Sequence, residues 1–269
     1  MIQIPRLPIL FTIGPLYEAT VLKRPSATCK TPYVADIILH SDDDLGVSYM
    51  AHTPALGCGG LCEKASSILV AKTNTTSGVC KYTAYFAVLQ KTHYRIYVCI
   101  YPKLAETAVE TALRKNKLSW LQTKSVSREV VYGNSRFDFA GIDSNDTPFL
   151  LEVKCVPLSE GDCAYFPVGV KRKPNEIVSP RALKHIQELE AIKQEKREKI
   201  RCILCFVVMR SDVKKFALNE KDPIYKEAVQ QAKQEGVEIR VIKLHMSREG
   251  HGYLASDTLD IAWGAEGPL

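Results

Sequence analysis

No stretch of this chain stays apolar for the length of a membrane span, and its first residues lack the pattern of a secretory signal. A membrane partner is therefore not expected. No acid occurs before Glu18, and a first strand with its lead-in fits that segment better than a targeting peptide. No internal repeat is visible, and no amphipathic helix is evident before residue 102. A glycine-rich phosphate loop, a dinucleotide fingerprint and a sugar-type acid pair are likewise missing, so nothing supports nucleotide-driven or sugar-metabolic chemistry.

What is present is the composition of a globular protein. The 269 residues are 46% hydrophobic and 25% charged, enough for one large or two ordinary domains. The net charge of +6 is a mild bias toward polyanions. Nine cysteines, an odd number, occur without a secretion signal, which predicts free thiols and a cytoplasmic or similarly reducing location. Cys202-Ile-Leu-Cys205 lies inside the apolar run Ile200 to Met209 and reads as core. Cys58-Gly-Gly-Leu-Cys62, with His52 nearby, is a metal candidate set against the simpler reading of a glycine-rich turn. Asn74-Thr-Thr is a glycosylation sequon only for a secreted protein.

The first hundred residues read as short strands joined by turns, the pattern of a small barrel or sandwich: Tyr33 to His40, Val47 to Ala51, Ser67 to Val70, Lys81 to Leu89 and His93 to Tyr101. The pattern then changes. Pro102 opens a helix to Lys115, followed by strand-like runs at Arg128 to Tyr132, Arg136 to Ile142 and Phe149 to Val156. Pro180 starts a long helix to about Lys199, Ile200 to Met209 is a buried strand, Asp222-Pro begins another helix, and Val237 to Leu244 is a further strand. We expect two domains, 1–101 and 102–269. The order helix, three strands, helix, strand predicts a restriction-endonuclease-like αβββαβ mixed sheet within an α+β chain.

The chemistry centres on the hairpin around Asp143-Ser-Asn-Asp-Thr-Pro148. Asp138 and Glu152 are equidistant from Asn145, so a bulge-free hairpin sets them face to face. Lys154 follows Glu152 by two residues and shares its face, while Leu151, Val153 and Cys155 take the opposite one. Two carboxylates with a lysine suit a Mg²⁺ or Mn²⁺ phosphodiesterase: hard oxygens hold the ion, and the lysine serves the water and the phosphate charge. The bland alternative is a surface hairpin with a Glu–Lys ion pair and an unrelated aspartate.

These residues resemble the SfsA family, known as sugar fermentation stimulation protein and described as DNA-binding. The resemblance rests on Tyr132-Gly-Asn-Ser-Arg-Phe-Asp138, Leu151-Glu-Val-Lys-Cys-Val-Pro-Leu158, Tyr165-Phe-Pro167, Arg181-Ala-Leu-Lys-His185 with Glu188-Leu189, Phe206-Val-Val-Met-Arg210 and Asp222-Pro-Ile-Tyr225. It implies an OB-fold-like barrel followed by a PD-(D/E)XK nuclease-like domain. The chain departs from the family at Ala55, where the family has Asn, at Met209 in place of Gln and at Val168 in place of Asp. Lys171 to Pro180 reads as an insertion.

The expected partner is nucleic acid, DNA before RNA. Asp138, Glu152 and Lys154 are the expected catalytic residues. Asp138 and Glu152 are expected to bind the metal, with Glu110 of the first helix as a third carboxylate or else a solvated acid. Arg136, Lys171, Arg172, Lys173, Arg181, Lys184 and His185 are the expected nucleic-acid contacts. The last three share one helix face by their i, i+3, i+4 spacing near a helix start, where phosphate is favoured. His185 is also a general-base candidate. Tyr165 and Phe166 could stack a base or fill the core. A non-catalytic DNA-binding regulator with a vestigial site is the rival reading, and a homodimer is compatible with the sequence.

Overall fold

The computed structural model describes residues 7–41, 46–53, 58–73, 78–167 and 177–263, with nothing said of the Glu198 side chain. In chain order the strands are β1 (Ile9–Thr12), β2 (Tyr17–Lys23), β3 (Val34–Leu39), β4 (Ser48–His52), β5 (Ser67–Lys72), β6 (Tyr82–Gln90) and β7 (Arg95–Cys99). Helix α1 (Lys103–Arg114) is followed by β8 (Thr123–Tyr132), β9 (Ser135–Asp143), β10 (Pro148–Val156), β11 (Ser159–Glu160) and β12 (Cys163–Phe166). Then come α2 (Pro180–Lys196), a 3₁₀ turn Arg197–Lys199, β13 (Arg201–Val208), β14 (Lys215–Leu218), α3 (Pro223–Gln234), β15 (Glu238–Met246), β16 (His251–Ser256) and β17 (Asp260–Ala262).

Strands β2 to β6 close into a barrel. The order β4-β3-β2-β5-β6 is completed by a parallel β4–β6 pairing, and β7 extends β6. A five-stranded barrel whose third and fifth strands run parallel has OB-fold connectivity. Its interior is apolar, with Val21, Ile37, Ile68, Val70 and Val98 fully buried.

The second half is built on a seven-stranded sheet of order β1-β16-β15-β13-β10-β9-β8. Its centre is parallel (β10–β13–β15) and its flanks antiparallel. The two faces of β10 and β13 explain the layering. Leu151, Val153, Ile203 and Cys205 pack with α1 and with Leu69, Phe86 and Cys99 of the barrel strands. Leu150, Val156, Cys202, Leu204 and Phe206 pack with α2 and α3. Helix α3 has a complete set of local signals: Asp222 caps it by accepting the Tyr225 N–H at 3.4 Å, and Pro223 fills its first turn. Gly236, at φ +94, ends it through bonds from Gly236 N–H to Lys233 O and from Val237 N–H to Ala232 O.

The expected αβββαβ order is present as α1-β8-β9-β10-α2-β13. Three features go beyond it. A small sheet, β11-β12-β14-β17, is inserted around the core. Strand β15 is followed by two more strands. Strand β1 joins the seven-stranded sheet by pairing with β16, although it precedes the barrel in the chain.

Candidate functional site

The β9–β10 hairpin fixes the geometry. Its register runs from Ile142↔Pro148 to Phe139↔Leu151 without interruption, which makes Asp138 and Glu152 the next opposed pair. Asp143 sets that register at the turn. Its Oδ1 accepts the N–H groups of Asn145 (2.8 Å) and Thr147 (2.9 Å), and its Oδ2 accepts from Arg201 at 3.1 Å. Beyond Leu151 the Asp138 side chain takes over from the ladder: its Oδ2 accepts the Val153 N–H at 2.7 Å.

The two carboxylates are electrically unlike. Burial, then the nearby Glu152 charge, pushes the Asp138 carboxyl up to about 7. Burial works the same way on Glu152, only 2% exposed, but it is outweighed by His185 and Lys154, so that carboxyl lies below its usual range. Both partners meet one oxygen. His185 Nδ1 and Lys154 Nζ contact Glu152 Oε1, while Oε2 is buried with no hydrogen-bond partner. An ionised carboxylate with one orphaned oxygen beside a second, partly neutral carboxyl is the donor arrangement a hard cation would complete. Among the described residues, however, no three His, Cys, Asp or Glu side chains already converge as a metal cage.

Helix α1 brings its acids from the other side of the sheet. Glu106 is raised by burial, and Arg128, Glu129 and Glu152 act on it in turn; its charge also acts on Asp138. Glu110, one turn on, is held by Arg128 Nη1 at 2.5 Å and Arg114 Nε at 3.0 Å. The acid electrically coupled to the pair is thus Glu106, which sequence reasoning missed.

The remaining expected residues separate. Arg181 and Lys184 are exposed, and Lys184 reaches Asn134 O at 3.3 Å. His185 turns inward, 5% exposed, onto Glu152. Arg136 is exposed and pairs with Glu129 at 2.8 Å. Lys171, Arg172 and Lys173 lie outside the described residues, as do Ala55 and Asn74. Phe166 packs on Phe206 and Tyr225, with ring centroids 5.4 and 5.5 Å away, and Tyr165 packs partly against the barrel interior. Cys202 and Cys205 are buried core thiols pushed up to about 12 by burial.

A family model for the sugar fermentation stimulation protein RE domain matches residues 103–250, more than half of the chain. The chain belongs to the SfsA family. A sugar fermentation stimulation protein homolog of Clostridium perfringens is 31% identical over 235 residues, covering 86% of this chain and 91% of the relative. Another such homolog, from Synechococcus elongatus, is 28% identical over 257 residues, covering 94% and 98%. Among solved structures, Pyrococcus furiosus SfsA in complex with Ca²⁺ superposes with a TM-score of 0.75 at 22% identity, covering 95% of this chain and 99% of that one. That likeness shows a shared fold over both the barrel and the seven-stranded sheet of the described residues. No described helix of this SfsA-family protein is long and apolar enough to cross a membrane.

Proposed function

We propose that the protein binds DNA and hydrolyses phosphodiester bonds at the Asp138–Glu152–Lys154 site, with Mg²⁺ or Mn²⁺ as cofactor. The observation that carries this reading is the unpartnered, buried Oε2 of an ionised Glu152 beside Asp138. Asp138 and Glu152 would hold the ion, with Glu106 rather than Glu110 closest in charge to them. When bound, such an ion acidifies a water and offsets phosphate charge. Lys154, 12% exposed and in contact with Glu152, would orient that water and face the charge developing on phosphate. His185 fixes the Glu152 carboxylate in place. Arg181 and Lys184, at the exposed start of α2, would meet the phosphate strand. That a family member is described in complex with Ca²⁺, another hard divalent ion, supports this use of the carboxylates.

One observation favours a second reading, a DNA-binding regulator with a vestigial site. Glu152 already has the Lys154 ammonium and the His185 ring on one oxygen, so the fold does not need a metal. Labelled single- and double-stranded DNA and RNA, incubated with Mg²⁺, Mn²⁺ or EDTA, separate the two. Wild type should cut DNA only with a divalent ion. Glu152→Gln should lose both cleavage and the ion, whereas Lys154→Ala should keep the ion and lose on the order of a hundredfold in turnover. Metal-independent DNA binding without any cleavage, shared by both variants, would leave the regulator.

A further inference from the structure

Two sulfur side chains, Cys29 and Met50, meet on the barrel away from the carboxylates, and Cys80 adjoins the residue that bonds the Met50 backbone. Cys29 lies in the β2–β3 connection, Met50 in β4 and Cys80 just before β6. Cys29 Sγ is 3.8 Å from Met50 Sδ. The Lys81 N–H donates to Met50 O at 3.1 Å, which sets its neighbour Cys80 alongside the same strand. Burial, then the adjacent Cys29 thiol, raises the Cys80 thiol above its ordinary range.

The cluster is held firmly on the Cys29 side. The Cys29 N–H donates to Ser26 Oγ at 3.3 Å. The Ser26 hydroxyl donates to Asp36 at 2.6 Å, and the Ala27 N–H bonds the other Asp36 oxygen at 2.8 Å. None of the three sulfurs is core: each is only partly buried. Met50 also borders a solvent-open hollow of about 520 Å³ with Thr28, Asp36, Val79 and Lys81. No disulfide uses either cysteine.

We propose that Cys29, Met50 and Cys80 form a three-sulfur site for a soft monovalent cation of the Cu(I) class. Metal–sulfur bonds of about 2.3 Å on a trigonal ion put neighbouring sulfurs about 4 Å apart. The Cys29–Met50 pair already stands at 3.8 Å. Two thiolates and a thioether are the soft donors that select Cu(I) over the hard ions suited to Asp138 and Glu152. Binding one Cu⁺ releases two thiol protons and leaves one net negative charge. The Lys81 ammonium, next to Cys80 in sequence and 5.6 Å from the centre of the Tyr49 ring, is the cation that would offset it.

The test uses the full-length, reduced protein under anaerobic conditions, titrated with Cu(I) against bathocuproine disulfonate. Wild type should hold one equivalent. Cys29→Ser and Cys80→Ser should each weaken it by about a hundredfold or more, and Met50→Leu, close in volume, by about tenfold. Unchanged far-ultraviolet dichroism and melting temperature without copper show that the variants fold. The seven other cysteines remain in every single variant, so the differences isolate this cluster. The proposal is overturned if the Cys29→Ser/Cys80→Ser double variant matches wild type. It also fails if Met50→Leu has no effect. A third contrary outcome is that hydrogen peroxide links Cys29 to Cys80 while wild type binds no more Cu(I) than the double variant.

Discussion

Asp138 and Glu152 face each other as carboxyls of unlike character, and the difference has measurable consequences. Asp138 has a folded pKa of about 7, above its unfolded value. Between the two values the folded protein keeps a proton that the unfolded chain has lost. This group's contribution to stability is therefore greatest below the unfolded pKa and declines as pH rises through about 7. Without metal, wild type should lose melting temperature between pH 5 and pH 8 relative to Asp138→Asn, whose side chain stays neutral. Bound ion needs the ionised form, so the Mn²⁺-induced rise in melting temperature should grow over the same window and vanish in Asp138→Asn. Glu152→Gln withdraws the negative partner of Lys154 in a buried setting, which should cost about 3 kcal/mol in metal-free urea unfolding. A neutral outcome there would mean that His185 and Lys154 relax toward solvent.

Elements explain what could and could not be read in advance. The β9–β10 hairpin was legible because its turn chemistry and the equal distances of Asp138 and Glu152 from Asn145 point to one register. Asp143 enforces that register with two backbone bonds and the Arg201 ion pair. Asp143→Ala should cost about 2–3 kcal/mol by denaturant titration, since it removes the acceptor of two turn N–H groups and one of the two carboxylates that hold the Arg201 guanidinium. Helices α1, α2 and α3 were legible from proline starts and apolar spacing. The choice between Glu106 and Glu110 was not, because residues four apart share a helix face and only tertiary packing shows which one nears the sheet. His185 escaped for a related reason. Its spacing from Arg181 and Lys184 marks one side of α2, but the edge of the buried arc falls between Lys184 and His185. Strands β11, β12, β14 and β17 are two to four residues long, too short for alternation to register, and they depend on partners far along the chain.

For the whole molecule the charge distribution gives the next test. DNA affinity should fall with salt as counterions are released. Replacing Arg181 and Lys184 with Ala should flatten the slope of log affinity against log salt by about one unit for each phosphate left without its cationic side chain. A slope equal to wild type would return both residues to ordinary surface. The pairing of β1 with β16 has a different kind of consequence. A cut near residue 101 would not yield an intact C-terminal half, because it leaves behind the strand that covers the outer edge of β16. An uncovered edge invites association with other chains. During synthesis, residues 9–12 must likewise wait through the whole barrel and sheet for their partner at 251–256. A fragment starting at residue 102 should therefore aggregate, and a synthetic peptide spanning residues 7–16 should restore it to solution as a split protein reassembled strand by strand.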